Sequence, residues 1–337
     1  MNMTNLFLIG DFQSDNGPGT ANKQILQSLS QGYGVRYSKA QSKLGRIIEA
    51  IVKIMISDAV VICSKSQINY FVINIAKRLK RKIYYVMHGC SSFEEKLNNS
   101  KVSVQKLQSL NDYEDFIITN TDKIICVSKF FMNFMKQRMP KYNYKFDYIY
   151  NCIDIKKITS QITSVPERNA QIASIGGGMK RKNILTIVKS AQQLQPSLPV
   201  LVIGADGPDS PEIKRQDNIE WKGLLSHSDV IRLLSETKIY VQNSAFETFG
   251  LSVIEALYCG CDLLISDKMG CKDLFGTLTD NDIIYDVHDQ KEICQKLQYL
   301  YKHSNNKRLR KGFRKELVSH HWQLEKFNHI FEEDNIR

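Results

Sequence analysis

What most constrains this chain is the way short, continuous apolar runs alternate with helix-like segments from one end to the other. The strand-like runs fall at 6–9, 59–63, 83–87, 124–127 and 146–150, then at 172–175, 200–203, 239–242, 263–266 and 283–285. Between them, apolar residues at helical spacing mark 21–31, 71–79, 184–194 and 293–301. A strand covered on both faces reads as an unbroken apolar run rather than as the alternation of a half-exposed sheet. Strand and helix in succession therefore predict parallel sheets wound on both sides. There are two sets of such runs, and 337 residues exceed one ordinary core, so two Rossmann-like α/β domains are expected. Their limits are placed at 1–165 and from 166 onward, with the polar stretch 156–169, which contains Pro166, as the linker.

Composition narrows the class. A hydrophobic fraction of 42% with 24% charged residues excludes disordered and fibrous chains. The first apolar run is too short for a secretory segment, and the nearest approach to a membrane span, 47–63, is broken by Glu49, Lys53 and Asp58. A cytoplasmic protein that does not cross a membrane is expected. Eight cysteines scattered through apolar runs read as reduced core thiols. Cys259, Cys261 and Cys271 lack the spacing and the companion histidines of a soft-metal site.

The charge is unevenly placed. Residues 1–150 carry 21 Lys and Arg against 11 Asp and Glu, whereas 151–337 carry 25 against 24. Such an excess points to an anionic partner, nucleic acid or an acidic membrane surface. No nucleic-acid reading module is recognisable, so the first is set aside. Lys77, Arg78, Lys80, Arg81 and Lys82 follow the apolar run 70–75. Segment 130–150 interleaves Phe131, Phe134, Tyr142 and Tyr144 with Lys136, Arg138, Lys141 and Lys145. Basic groups mixed with aromatics suit a lipid headgroup region, and peripheral contact of the first domain with the inner face of the cell membrane is expected.

Chemistry concentrates at Phe246-Glu247-Thr248-Phe249-Gly250-Leu251-Ser252-Val253-Ile254-Glu255. The strand-like run 239–242 leads into a loop carrying Glu247, and a helix is expected from about Gly250 to Gly260. The amides of Phe249, Gly250 and Leu251 would form an electropositive helix N-terminus at a strand's carboxyl end, where diphosphates bind. From spacing alone, Glu247 and Glu255 read equally well as a capping-region glutamate and a surface glutamate. A second glycine-rich turn, Gly176-Gly177-Gly178, precedes Lys180, Arg181 and Lys182 and lets backbone approach phosphate. Asp15-Asn16-Gly17-Pro18-Gly19-Thr20 follows the first strand, and His88 stands at the end of the run 83–87. Asp280-Asn281-Asp282 mimics a metal-binding Asp-x-Asp but reads as a turn.

With Glu247 and Glu255 separated by seven residues, and with Asn243-Ser244 before and Ala256-Leu257-Tyr258-Cys259-Gly260 after, the segment resembles the E-x7-E signature of retaining glycosyltransferase family 4. That resemblance implies the GT-B fold, two Rossmann-like doubly wound parallel-sheet domains facing across a cleft. It extends the second domain over 166–315 and makes 316–337, with His321-Trp322-Gln323, a helix crossing back to the first. It implies a nucleotide-sugar donor of unread base, with Gly17, Gly19, Gly177, Arg181, Lys182, Phe249, Gly250, Leu251 and Glu255 around it. Glu247, His88 and Lys182 are the implied catalytic residues. The family's arginine directly after the first glycine is replaced by Gly177, and Arg181 or Lys180 is the expected substitute. Lysine and helix amides would neutralise the leaving diphosphate, so no metal cofactor is expected.

The function implied is hexosyl transfer, with retention of anomeric configuration, to a glycan or polyprenyl-linked acceptor in bacterial surface polysaccharide synthesis. A catalytically inactive GT-B partner subunit is the alternative, and a sugar-nucleotide epimerase is disfavoured by the E-x7-E context.

Overall fold

The computed structural model describes residues 4–14, 17–162 and 168–334. Asp15 and Asn16 of the first glycine turn, and Pro166 with the expected boundary at 165, lie outside the described residues. The chain divides into two units: Met1–Cys90, Gln108–Ile153 and Lys315–Arg337 form the first, Ser91–Leu107 and Asp154–Arg314 the second.

The first unit holds β1 (Asn5–Ile9), β2 (Gly34–Tyr37), β3 (Ala59–Ile62), β4 (Lys82–Met87), β5 (Lys123–Cys126) and β6 (Phe146–Tyr148). The second holds β7 (Asn169–Ile175), β8 (Val200–Ile203), β9 (Ile219–Gly223), β10 (Thr237–Gln242), β11 (Asp262–Ser266) and β12 (Ile283–Ile284). The helices, in chain order, begin with α1 (Gly17–Leu29), α2 (Lys43–Met55), α3 (Ile68–Arg78), α4 (Ser91–Asn98), α5 (Val104–Asn120), α6 (Lys129–Arg138) and α7 (Ile155–Ser160). They continue with α8 (Ile184–Gln192), α9 (Ser210–Ile213), α10 (His227–Glu236), α11 (Leu251–Cys259), α12 (Gln290–Lys302), α13 (Asn306–Gly312) and α14 (His320–Glu333).

Both sheets are parallel, so the expected pair of doubly wound α/β units is present. In the first the strand order is β2-β1-β3-β4-β5-β6, and in the second β12-β11-β10-β7-β8-β9. The winding direction reverses between β1 and β3 in one and between β7 and β10 in the other. Loops after those strands diverge to opposite faces and leave a crevice at the carboxyl edge, where open α/β sheets place their ligands.

Two strands escaped the apolar-run criterion, β2 (GVRY) and β9 (IEWKG). Each is an edge strand, covered on fewer sides, and its burial is only partial. Central β3, β8 and β11 are buried throughout, which is why their runs were continuous.

Packing in the first unit is closed by α14. Ser319 caps that helix, its hydroxyl accepting from Trp322 N at 3.2 Å. Gln323, fully buried, accepts from Ser28 of α1 at 2.7 Å and donates to the Tyr150 carbonyl at 3.3 Å. Phe327 and Phe331 fill the layer beneath.

Part of the surface expected to meet a membrane is not exposed. Phe131 is buried, Phe134 and Tyr142 are half-buried, and Val72 and Ile73 of run 70–75 are in the core. The Lys145 ammonium is turned inward and donates to the carbonyls of Ile118, Thr119 and Thr121 at 2.7–2.9 Å. Among the aromatics quoted from 130–150, Tyr144 is the exposed one. No helix among the described residues is long and apolar enough to cross a membrane.

Candidate functional site

The second unit brings Gly177, Arg181, Lys182, Glu247, Phe249, Gly250, Leu251 and Glu255 to its β7/β10 crevice. Residues 176–178 leave β7 and interlock, backbone against backbone, with the turn after β8. Gly177 N donates to Ile203 O and Gly178 N to Ala205 O, both at 3.0 Å. At Gly177, φ is +55°, and an added Cβ would stand 2.1 Å from Ala205 O. No side chain fits there, so the arginine of the resembled pattern is excluded by the local backbone and not merely absent.

The chain then makes a short 3-10 turn, Lys180–Lys182, whose ends are tied to the loop after β10. Asn183, in the left-handed region, donates from Nδ2 to Asn243 O at 3.1 Å, and Ala245 N donates to Arg181 O at 2.8 Å. Lys180 points to solvent, while Lys182 is buried and Arg181 half-buried. Of the two expected substitutes for the missing arginine, Arg181 is the one held in the crevice.

Glu247 is fixed by its own backbone. Its amide donates to Lys268 O at 3.0 Å, and its carbonyl accepts from Gly270 N at 2.9 Å. The carboxylate pairs with the Lys182 ammonium in a short contact, and Arg181 Nη1 stands 3.5 Å away. Burial opposes ionisation of Glu247, but Lys182 and Arg181 outweigh it and hold the carboxyl below the usual carboxylate range. Burial pulls the Lys182 ammonium down, and the Glu247 charge works against that shift. Each charge of the pair thus supports the ionised form of the other.

A fourth member comes from a distant part of the sequence. Helix α4 packs on the 3-10 turn; Asn98 Oδ1 accepts from Arg181 N at 3.3 Å, and Glu94 Oε2 lies 3.4 Å from Arg181 Nη2. Phe93 meets Phe246 edge to face at 5.0 Å between ring centroids. Segment Ser91–Leu107 thus belongs to this site although it precedes most of the first unit's second half.

Helix α11 begins where expected. Its N-cap is Gly250 at φ +98°, where an added Cβ would meet Met269 Cε at 2.6 Å. The first-turn amides of α11, starting at Leu251, follow directly after the loop that carries Glu247, and this positive end favours an anion. Phe249 is buried beneath, its carbonyl accepting from Cys271 N at 2.7 Å. One turn on, Glu255 Oε1 stands 2.9 Å from Nε2 of His227, the first residue of α10. Ser226 caps that helix, its hydroxyl accepting from Asp229 N at 3.2 Å, and His227 was not among the residues expected at the site.

His88, Gly17 and Gly19 belong to the first unit. Gly17 opens α1, and Gly19 packs so closely on Ser14 that an added Cβ would stand 2.4 Å from its carbonyl oxygen. His88 Nε2 lies 2.8 Å from Asn22 Oδ1 of α1. Desolvation lowers its pKa to about 4, against a smaller opposite effect of a hydrogen bond with the Cys63 backbone. The imidazole is neutral at physiological pH.

Other candidates are structural. Asp282 is buried and held by both oxygens on Arg308 Nη2 at 2.9 Å, inside a Thr279-capped turn. The Cys259 and Cys261 thiols donate to the Ile231 and Leu234 carbonyls, and burial raises their pKa values. His321 is an exposed partner of Glu325. Among the described residues no group of three or more His, Cys, Asp or Glu is placed to hold a metal ion.

Residues 155–316, nearly all of the second unit's main segment, match the family described as Glycosyl transferases group 1. Over 177 residues, half of this chain, there is 25% identity with a Campylobacter jejuni enzyme, N-acetylgalactosamine-N,N'-diacetylbacillosaminyl-diphospho-undecaprenol 4-alpha-N-acetylgalactosaminyltransferase. The match takes in 47% of that relative's length, so the chain spans less than half of it. Whole-chain likeness in fold extends to the sucrose-phosphate synthase of Thermosynechococcus elongatus, at TM-score 0.71, 15% identity and 98% coverage of both chains. Anabaena HepE, solved in complex with UDP and glucose, superposes at TM-score 0.67 with 13% identity and 99% coverage of both. The fold is that of GT-B proteins, with two Rossmann-like domains.

Proposed function

We propose that this protein is a retaining glycosyltransferase, taking a sugar from a nucleotide-sugar donor held by the second unit. The observation that carries the proposal is the buried cluster of Lys182, Arg181 and Glu247 beside the N-terminus of α11, at the reversal point of the β7/β10 sheet. Two cations and a helix N-terminus suit a diphosphate leaving group, while the carboxylate suits sugar hydroxyls.

In this scheme Lys182, Arg181 and the first amides of α11 take up the negative charge that develops on the departing nucleoside diphosphate. Glu247 accepts from donor-sugar hydroxyls and, by pairing with Lys182, keeps the ammonium aimed into the crevice. Glu255, oriented by His227, accepts from the ribose diol. A phosphate oxygen of the leaving group takes the acceptor's proton on the same face of the sugar, which preserves configuration without a protein nucleophile. Neutral His88 in the first unit, its ring held by Asn22 and the Cys63 backbone, places no positive charge beside the developing oxocarbenium. The HepE complex makes UDP-glucose the first donor to test, and the Campylobacter relative makes a polyprenyl-diphosphate-linked glycan the first acceptor class.

Thermal denaturation against a panel of nucleotide sugars tests the proposal, because a bound donor raises apparent stability by mass action. A donor that stabilises the protein should also be consumed, and the anomeric configuration of the product, read by NMR, should match that of the donor. A donor that binds without turnover or hydrolysis would instead support a partner subunit, and an inverted product would refute retention.

A further inference from the structure

Among the described residues, five exposed apolar side chains gather at helix α2 of the first unit. Leu44, Ile48, Val52, Met55 and Ile56 are 69%, 55%, 53%, 56% and 51% exposed. Their spacing of four, four, three and one places them on one side of a helix about 20 Å long. The opposite side, with Ala50 and Ile54, is the one packed against the unit. This helix is therefore apolar on two faces, which a helix serving only the fold does not require.

The polar groups of α2 are turned away from the stripe. Its single acid, Glu49, accepts from the amides of Lys39 and Ala40 at 3.0–3.1 Å and pairs with Lys53 at 2.5 Å. The Lys53 ammonium also donates to Tyr37 O at 2.6 Å. No carboxylate of the helix is left beside Leu44, Ile48 and Val52.

The stripe ends against a basic edge. Arg81 Nη2 donates to Met55 O at 2.9 Å, which fastens the last turn of α2 to the loop before β4. Lys77 and Arg78 at the end of α3, Lys80 and Arg81 in that loop, and Lys82 at the start of β4 make the edge basic, and Leu79 among them is itself 39% exposed. Lys77, Lys80, Arg81, Lys82 and Lys145 line a pocket of about 370 Å³ whose one acid is Asp122. Lys80 sits at φ +53°, a left-handed position where glycine or asparagine is the usual choice.

We infer that the exposed stripe of α2 and the adjoining 77–82 edge together form a docking face for an anionic lipid bilayer. The apolar side chains enter the boundary between headgroups and acyl chains, and the cations pair with lipid phosphates. Charge favours this occupant over a second copy of the chain. A two-fold dimer through the stripe would bring one basic edge near its own counterpart, five cations on each side against Asp122 and Asp334, which lie beside Lys82. This inference goes beyond the proposed transferase activity and stands independently of it, since neither the stripe nor the basic edge lies at the β7/β10 crevice.

Vesicle co-sedimentation of the intact chain tests it, with phosphatidylcholine alone and with about one-third phosphatidylglycerol, at about 0.05 M and about 0.5 M NaCl. Wild type should bind the anionic vesicles, more strongly at low salt. Leu44→Ser/Ile48→Ser/Val52→Ser should lower the partition coefficient on the order of 100-fold with an unchanged melting temperature, because these side chains are mostly in water already. Arg78→Ser/Lys80→Asn, which leaves α2 intact and puts a residue tolerant of positive φ at 80, should lower it roughly 30-fold on anionic vesicles only. Equal binding to both vesicle types, no binding to either, or full binding by the stripe variant would overturn the inference. So would a wild-type dimer, seen by light scattering, that the stripe variant dissociates, because the face would then serve self-association.

Discussion

Replacing Glu247 with Gln separates a site built on charge from one that merely contains charged residues. Glu247, Arg181 and Lys182 have side-chain exposures of only 15%, 13% and 10%, so solvent screens them weakly. Removing one partner of a buried pair costs about 3–5 kcal/mol, and glutamine keeps an acceptor for Lys182, so about 2–4 kcal/mol is expected. For a unit of this size that is a fall in Tm of roughly 5–15 °C. The same change leaves two cations facing one remaining acid, Glu94, and should tighten a free nucleoside diphosphate by about tenfold. Turnover with the true donor should nevertheless fall by a factor of about 30 to 1000, because the proposed contact to the sugar would be lost. The pH dependence follows in sign. Glu247 titrates below the usual range in the folded protein, so its contribution is complete above the unfolded value near about 4.3 and vanishes as pH falls through the folded one. The stability gap between wild type and E247Q should hold from about pH 8 to about pH 5 and narrow below about pH 4. Differential scanning fluorimetry across that range, with and without UDP, and calorimetric titration of UDP read all three effects. A variant whose Tm lies within about a degree of wild type, and whose diphosphate affinity is unchanged, would show that the pair is not an ionised, buried unit. Wild-type turnover would remove Glu247 from the chemistry.

Gly177→Arg, which restores the arginine of the resembled pattern, should destabilise by more than about 3 kcal/mol instead of rescuing a cation, because φ is +55° and the Ala205 carbonyl occupies the Cβ position; urea denaturation measures it. Glu255→Gln and His227→Ala should each raise the donor KM several-fold with kcat little changed, and the double variant should cost no more than the worse single one if His227 acts by orienting Glu255. Activity should persist in excess chelator if Lys182 and Arg181 neutralise the diphosphate as proposed; loss of turnover that magnesium restores would refute that. With His88 neutral down to about 4, the pH profile of kcat/KM should show no His88 limb between about pH 5 and pH 8, and a limb there that disappears in His88→Asn would refute the assignment.

How much of this was legible in the sequence depended on whether a feature is local. Both sheets could be read because central strands such as β3, β8 and β11 are covered on two sides and leave unbroken apolar runs. Strands β2 and β9 could not, since GVRY and IEWKG mix charged residues with apolar ones and no residue of either is fully buried. Helix α11 announced itself by Gly250 and Gly260 at its two ends, both of which take positive φ. Glu94 left no such mark. It lies in an ordinary amphipathic stretch, and only the return of segment Ser91–Leu107 to the second unit sets it beside Arg181. The same return explains why a clean division near 165 does not describe how the chain is parcelled out. For the aromatics of 130–150, composition misled: a mixture of Phe, Tyr and Lys is the same whether the rings face lipid or the core, and here Phe131 faces the core. An exposed apolar stripe appears instead on α2, which as sequence looked like a failed membrane span. Its charged residues Glu49 and Lys53 broke the run but fold inward onto the Tyr37 and Ala40 backbone, so the interruption that excluded a spanning helix is what leaves an unbroken apolar stripe outside. Side-chain direction, set by tertiary hydrogen bonds that no window of sequence contains, decides between those outcomes.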